Sequence, residues 1–168
     1  MKSGLKFIAL AFLTLAPLST YAQSNVAHII VQQLISEMPE VIAAQNELAK
    51  LEKDYTTQID NAFKEFQTKA QSYSADAANQ TDVTNQARQK ELESMQTNLQ
   101  EFRDSAAQEL QKKQMDLMTP LLEKARNAIT KVGQEQGFNY VIDSSPNGGI
   151  ILADGKDLIE DVKRELGF

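Results

Sequence analysis

Apolar and polar residues alternate with a helical period over most of this chain. In two long runs the apolar side chains recur every three or four residues, apart from one polar step in the second run near Lys113 or Gln114. This spacing places each set on one face of an α-helix. The first run is Val41, Ala44, Leu48, Leu51, Tyr55, Ile59, Ala62, Phe66, Ala70 and Tyr73, and the second is Leu92, Met95, Leu99, Phe102, Ala106, Leu110, Leu117, Leu121, Ala125, Ile129 and Val132. Positions 40 to 119 contain neither glycine nor proline, so both helices are predicted to be long.

The large apolar residues disappear between positions 74 and 82, where Ser, Asp, Asn and Thr cluster. This composition is typical of a helix end followed by a new start, and Thr81 is the predicted N-cap. The two helices are therefore predicted to form an antiparallel coiled-coil hairpin, here called the arm. At ~1.5 Å per residue, helices of about 38 residues reach on the order of 55 Å. Pro120 lies inside the second helix and is predicted to act as a hinge, because it removes one backbone hydrogen bond.

Short β-type runs lie on both sides of the arm. Residues 26–31 and 138–143 are predicted strands, a turn is predicted at 146–149, and residues 150–153 are expected to complete a hairpin with the second strand. A last amphipathic helix begins near Leu158. The strands are apolar on both faces, and one chain offers too little to bury both, so this β-body is predicted to complete itself across subunits. The residues assigned to this body are Ile29, Val31, Phe138, Tyr140, Val141, Ile150 and Leu152. The fold class is α+β, mostly α, with the arm inserted in the body.

Residues 1–22 have the pattern of a signal peptide. Lys2 and Lys6 precede an apolar run at 7–18 that ends in the small-residue pattern Thr20-Tyr21-Ala22, so cleavage is expected after Ala22 and the mature protein is expected to be exported. The chain has no cysteine, which excludes disulfides, a thiolate metal site and a lipoprotein anchor. The predicted division is therefore 1–22 signal peptide, 23–38 and 133–168 body, and 39–132 arm with its tip near 74–82.

Charge and the candidate chemistry argue for a binding protein. The formal charge is −6, and the loss of Lys2 and Lys6 takes it to −8, which argues against nucleic acid or anionic lipid as the main partner. His28 is the only histidine, so no histidine pair can hold a metal. No histidine or lysine is expected beside Ser144 or Ser145 to activate a serine, and a β-turn cap is the expected role of Asp143-Ser144-Ser145. We expect no enzyme, no cofactor and no metal.

Four stretches carry a resemblance to a known family. They are Met38-Pro39-Glu40, Pro120-Leu121-Leu122-Glu123-Lys124, Gly137-Phe138-Asn139-Tyr140-Val141-Ile142-Asp143 and Asp157-Leu158-Ile159-Glu160-Asp161-Val162-Lys163. In their order and spacing the chain resembles the Skp (OmpH-like) family of periplasmic chaperones over essentially the whole mature sequence. The resemblance implies a homotrimer whose arms surround a cavity and hold unfolded outer-membrane β-barrel precursors without ATP. The best-known members are strongly basic, so the acidic charge here argues against contact of the arms with membrane or lipopolysaccharide.

The aromatic and methionine side chains of the arm are the candidate client-binding residues, because such side chains suit contact with many different partners. They are Tyr55, Phe63, Phe66, Tyr73, Met95, Phe102, Met115 and Met118. The alternative for each is packing inside the coiled coil, and Phe63 and Met118, which widen the apolar stripe, are the better client candidates. The alternative function is a structural or adaptor coiled coil of the cell envelope that binds one folded partner.

Overall fold

The computed structural model describes residues 25–146 and 149–168, so the predicted signal peptide lies outside the described residues. The elements in chain order are β1 (Val26–Ile29), α1 (Val31–Glu37), α2 (Pro39–Asp76), a 3₁₀ turn (Ala77–Asn79), α3 (Asp82–Glu135), β2 (Tyr140–Asp143), β3 (Lys156–Asp157) and α4 (Ile159–Leu166). The predicted α+β fold, mostly helical with a long hairpin, is confirmed.

The arm consists of α2 and the N-terminal two thirds of α3. Pro39 is the first residue of α2, where its missing N–H costs no hydrogen bond. The predicted cap is confirmed at the start of α3, because the Thr81 hydroxyl oxygen accepts a hydrogen bond from the Thr84 N–H at 3.2 Å. α3 continues through Pro120 without a break in its helical assignment.

The apolar stripes of α2 and α3 face each other along the arm. Leu99 and Ala106 are buried between the helices, and Tyr55 meets Phe102 edge to face with ring centroids 6.1 Å apart. The stripe of α3 has one polar step, which Lys113 occupies. Its Nζ lies 2.8 Å from a carboxylate oxygen of Glu47 on α2.

The body is a three-stranded parallel sheet in the order β2-β1-β3. β1 pairs with β2 from Val26↔Tyr140 to Ile29↔Asp143, and with β3 through Ala27↔Lys156 and His28↔Asp157. One face of the sheet is covered by α1, α4, the start of α2 and the end of α3. The core under that face consists of Ala27, Ile29, Leu34, Met38, Val41, Ala125, Ala128, Val132, Leu158, Ile159 and Val162.

The predicted hairpin between residues 138–143 and 150–153 is wrong. Residues 150–153 lie outside the sheet, and the third strand is β3, which runs parallel to β1 on the side opposite β2. Because β2 and β3 both run parallel to β1, the chain has to cross back over the sheet between them, which a tight turn cannot achieve. Gly155 permits the return, since a β-carbon at this position would lie 2.9 Å from the Val26 carbonyl oxygen.

Candidate functional site

Several of the predicted client residues are engaged inside the arm. Tyr55 packs against Phe102, and its hydroxyl donates a hydrogen bond to Glu109 on the opposite helix. This bond raises the pKa of the Tyr55 phenol, because ionisation would remove the proton that the hydroxyl donates to Glu109. Met95 is half-buried in the stripe of α3. Tyr55, Phe102 and Glu109 thus join the two helices.

A polar cluster joins the helices near the tip. The Tyr73 hydroxyl donates to Glu91 at 2.5 Å, and Lys69 pairs with the same carboxylate. The Lys69 hydrogen bond, followed by that of Tyr73, lowers the pKa of Glu91. Arg88 covers the Tyr73 ring at 4.7 Å from its centroid and lies 3.1 Å from Asp76. Tyr73 is thus held by contacts within the arm.

Two other aromatic residues are more accessible. Phe63 is 39% exposed, and its ring stacks on the half-buried Phe66 with centroids 6.5 Å apart. The rings form one side of an open groove of about 450 Å³, and Leu99, Gln100 and Arg103 of α3 line its other side. Phe63 therefore offers an apolar surface that the coiled coil leaves uncovered.

The two methionines near the base of the arm differ in exposure. Met118 is half-buried and packs against the core of the body. Met115 is 55% exposed. Leu122, seven residues further along α3 and hence on the same face, is also exposed. The sequence pattern favoured Met118 over Met115 as a client-binding residue, because helical periodicity does not show where the arm ends and the body begins.

Leu122, on the same face of α3 as Met115, also lines an open groove in the body. The groove has a volume of about 570 Å³, and its apolar walls include Val31, Phe138 and Val141, three of the residues assigned to the body. Its remaining apolar side chains are Ile35, Leu122, Ala125 and Ile129. The groove is formed where α3 passes α1 and β2.

The second face of the sheet is open in the single chain. Val26 is 37%, Tyr140 62% and Ile142 37% exposed on this face. The adjoining segment also exposes its aliphatic side chains, with Ile151 fully accessible and Leu152 81% exposed. Ile150 is 39% exposed, whereas Ile29 lies in the chain's own core. Tyr140, Ile150 and Leu152 are therefore available to a second copy, and Ile29 is not.

The expectation that no histidine reaches the serines after β2 is wrong. The fold brings His28 Nδ1 to 3.0 Å from Ser144 Oγ, across 116 positions of sequence. The surroundings are structural, however. The Ser144 N–H donates to the Ile29 carbonyl, and the Ser145 N–H donates to the Asp143 carboxylate, so neither is available to an oxyanion.

The side chains of Asp143 and Ser145 cap α1 from a distant part of the chain. Asp143 Oδ1 accepts from the Val31 N–H at 3.3 Å, and Ser145 Oγ accepts from the Gln32 N–H at 3.3 Å. The Ser145 hydroxyl also donates to Asp143, and this bond is the main cause of the lowered pKa of the carboxyl. Over residues 25–146 and 149–168, no group of three or more His, Cys, Asp or Glu could hold a metal ion.

The chain thus joins two long paired helices to a small parallel sheet with one open face. A family model described as "Outer membrane protein (OmpH-like)" matches residues 25–166. The chain belongs to the OmpH-like family. OmpH-like proteins are periplasmic chaperones of outer membrane proteins, which gives the general kind of activity and partner. No curated protein matches the chain. None of the helices in the described part of this OmpH-like chain is long and apolar enough to cross a membrane.

Proposed function

We propose that this OmpH-like protein is an ATP-independent holding chaperone of the periplasm. Its clients are unfolded outer-membrane β-barrel precursors, which lie in a space between the arms of a homotrimer. The observation that carries the proposal is the arm itself. It combines a polar surface with isolated accessible apolar side chains, above all Phe63 and Met115.

The arrangement suits the physical problem of an unfolded barrel. Such a chain exposes apolar strands with unpaired backbone groups, and two copies would pair edge to edge and aggregate. Many weak apolar contacts along an arm can retain one copy without selecting a particular sequence. Since each contact is small, release needs no nucleotide hydrolysis.

Trimerisation is supported by the apolar surfaces that a single chain leaves open. The outer face of the sheet exposes Tyr140, and the neighbouring segment exposes Ile151 and Leu152. Residues 150–152 have high β-propensity but pair with none of the three strands that the structure describes. We infer that this segment pairs with, or packs on, a second copy, and that the groove beside Phe138 receives part of the same interface.

The arm is proposed to move about Pro120. Ala125, Ala128 and Val132 follow Pro120 and belong to the core of the body, and Met118, two residues before Pro120, also packs on that core, whereas the part of α3 before Met118 belongs to the arm. The hinge therefore lies at the junction between a fixed and a free segment. Small changes there would open or narrow the cavity for clients of different size.

Aggregation of a urea-diluted β-barrel precursor tests the proposed activity. The purified mature protein is expected to suppress light scattering at a trimer-to-client ratio near one, without nucleotide, and for several unrelated barrels. An adaptor of one folded partner would leave the scattering unchanged. That result would refute the holding function and favour the structural alternative.

The assembly is tested separately by light scattering at micromolar concentration. Wild type is expected at the mass of three mature chains. Ile151→Asp is expected at the mass of one folded chain, because Ile151 is fully accessible within its own chain and is proposed to be buried between copies. Val83→Asp is the matched control, since Val83 is 77% exposed at the distant tip and should leave the trimer intact. A single-chain mass for wild type would refute the trimer.

A further inference from the structure

We propose that the groove beside Phe63 and Phe66 binds a specific kind of client segment, namely an aromatic side chain with an aspartate or glutamate next to it. The inference rests on the proposed holding function and gives it a point of recognition. The groove would add a local sequence preference to apolar contacts along the arm that do not depend on the client's sequence.

The apolar half of the groove comes from both helices of the arm. Leu99 forms its floor and is only 9% exposed, while the Phe66 ring is half-buried beside it. The Phe63 ring stacks on Phe66 at an interplanar angle of 23° and keeps 39% of its surface exposed. A further aromatic ring can extend this stack, since offset and edge contacts between rings are favourable.

The polar half of the groove comes from one side of α3. Gln96, Gln100 and Arg103 follow one another at intervals of four and three residues, so they form a single row along the helix. Gln100 donates its amide to Asp104 at 2.9 Å. Within the described part of the chain its carbonyl oxygen accepts no hydrogen bond, so it can accept a backbone N–H from an extended segment.

Arg103 supplies the charge that selects the neighbour of the aromatic residue. Among residues 25–146 and 149–168, no carboxylate lies within ion-pair distance of Arg103, in contrast to Lys69, Arg88 and Lys113 of the same arm. A guanidinium binds a carboxylate through two parallel hydrogen bonds and stacks on aromatic rings. An aromatic residue with a carboxylate beside it therefore complements both halves of the groove.

The size of the groove agrees with this ligand. A volume of about 450 Å³ holds one aromatic side chain and its adjoining backbone but not a folded domain. The ligand has to be extended or unfolded, because only then are the ring, the carboxylate and the backbone between them accessible together. This restriction is the one that a holding chaperone requires.

Short fluorescent Gly/Ser peptides with a central Tyr-Asp, Tyr-Lys or Ala-Asp pair test the inference by anisotropy. At physiological salt, wild type is expected to bind Tyr-Asp about threefold more tightly than Tyr-Lys, because an accessible ion pair contributes at most ~1 kcal/mol. It should bind Tyr-Asp about fivefold more tightly than Ala-Asp, because the ring contact is lost in the latter.

Two variants separate the halves of the groove, and a third controls for net charge. Arg103→Gln should remove the preference for Asp over Lys and keep the preference for Tyr over Ala, while Phe63→Ala should do the opposite. Lys90→Gln removes the same charge from another exposed position of α3 and should keep both preferences. Circular dichroism checks that all three remain helical.

Equal binding of the three peptides by wild type would overturn the inference. So would an equal loss of the Asp preference in Lys90→Gln and Arg103→Gln, because net charge would then be the cause. Suppression of barrel aggregation is measured in parallel. If wild type suppresses aggregation but shows no peptide preference, the groove is wrongly assigned and the holding function stands. If it shows the preferences but fails to suppress aggregation, the holding function fails and the groove remains.

Discussion

Gly133 in α3 lies directly against Val141 in β2. A β-carbon added to Gly133 would lie 2.8 Å from Val141 Cγ2, closer than two carbon atoms can approach without movement. The contact joins the end of the arm's second helix to the sheet of the body. It also explains why a helix of 54 residues keeps a glycine in its last turn.

Gly133→Ala is predicted to destabilise the protein by about 1 kcal/mol. Overpacking against Val141 costs ~1–3 kcal/mol of folding free energy. Alanine has a better helix propensity than glycine, and this offsets up to ~1 kcal/mol of the cost. The measurement is urea unfolding at fixed protein concentration. In a Val141→Ala background the same change should be neutral or stabilising, because the obstructing methyl group is absent. Equal destabilisation in both backgrounds would show that the contact is not the cause.

The cap at the tip is predicted to control fraying of α3. Thr81→Ala should cost about 1 kcal/mol, because the Thr84 N–H loses its acceptor, and should speed hydrogen exchange at the first amides of the helix. Thr81→Asp keeps an acceptor at the helix N-terminus and should preserve protection. Unchanged hydrogen exchange in Thr81→Ala would mean that the contacts between α2 and α3 alone hold the tip.

Acid sensitivity is predicted for the attachment of α4. Hydrogen bonds from Gln136 and then Lys156 lower the pKa of Asp161 to about 2. The unfolded value is ~3.9, so ionised Asp161 stabilises the fold above about pH 4, and this contribution is lost as the pH falls through 2. Asp161→Asn should lower the urea midpoint at pH 7 and flatten its decline between pH 4 and 2.

The control for this acid effect is Asp116→Asn. Asp116 is exposed on α3 and is in no ion pair within the described part of the chain. Its replacement should change neither the midpoint nor the slope. An acid decline in Asp161→Asn as steep as in wild type would place the acid-labile contact elsewhere.

Pro120→Ala is predicted to stiffen the arm and to stabilise α3. The substitution restores one backbone hydrogen bond and removes the clash of the ring with the preceding turn, which is worth up to ~3 kcal/mol in a helix interior. Distance distributions between spin labels at the tip and in the body should become narrower. Thr119→Ala is the control at the adjacent exposed position. Equally broad distributions in all three proteins would refute the hinge.

Client capture is predicted to depend on apolar contact more than on charge. Loss of Lys2 and Lys6 with the proposed signal peptide would give each chain a formal charge of −8, and salt screens repulsion beyond ~8 Å without weakening apolar contacts. Capture of an unfolded barrel should therefore remain steady or tighten between low and moderate salt. Phe63→Ser with Met115→Ser should weaken it roughly tenfold.

The matched control for client capture replaces two exposed polar residues near those positions, as Gln67→Ser with Gln114→Ser. It should bind clients like wild type. A steep loss of affinity with salt, or equal binding by both double variants, would contradict the apolar grip.

The helices could be read from the sequence because their signals are local. A period of three to four residues, the lack of glycine and proline from 40 to 119, and the cap at Thr81 all lie within a few turns of what they determine. The third strand could not be read in this way. Residues 150–153 have the higher β-propensity, but the strand forms at Lys156–Asp157, because Gly155 allows close approach to β1.

The candidate site was only partly accessible to sequence reasoning for a similar reason. Phe63 was singled out as a residue that widens the stripe, and its side chain is exposed, but Met115 and Met118 could not be ranked without knowing that Met118 reaches the core of the body. The His28–Ser144 contact joins positions 116 apart. Arg103 becomes a candidate binding residue only because α2 places the rings of Phe63 and Phe66 beside it in the same groove. Each of these depends on a partner that is distant in sequence.

The pairing of β1 with β2 has a consequence for how the protein folds. Asn25 and Asn139, at the edge of this pair, are 114 positions apart, and closing so long a flexible loop is entropically costly. The arm between them is a local structure whose two ends lie side by side, so once it has formed the strands are already neighbours. We therefore expect the order of folding to be arm first and sheet second. For the same reason the arm can be lengthened or shortened by matched pairs of heptads without changing the register of the sheet.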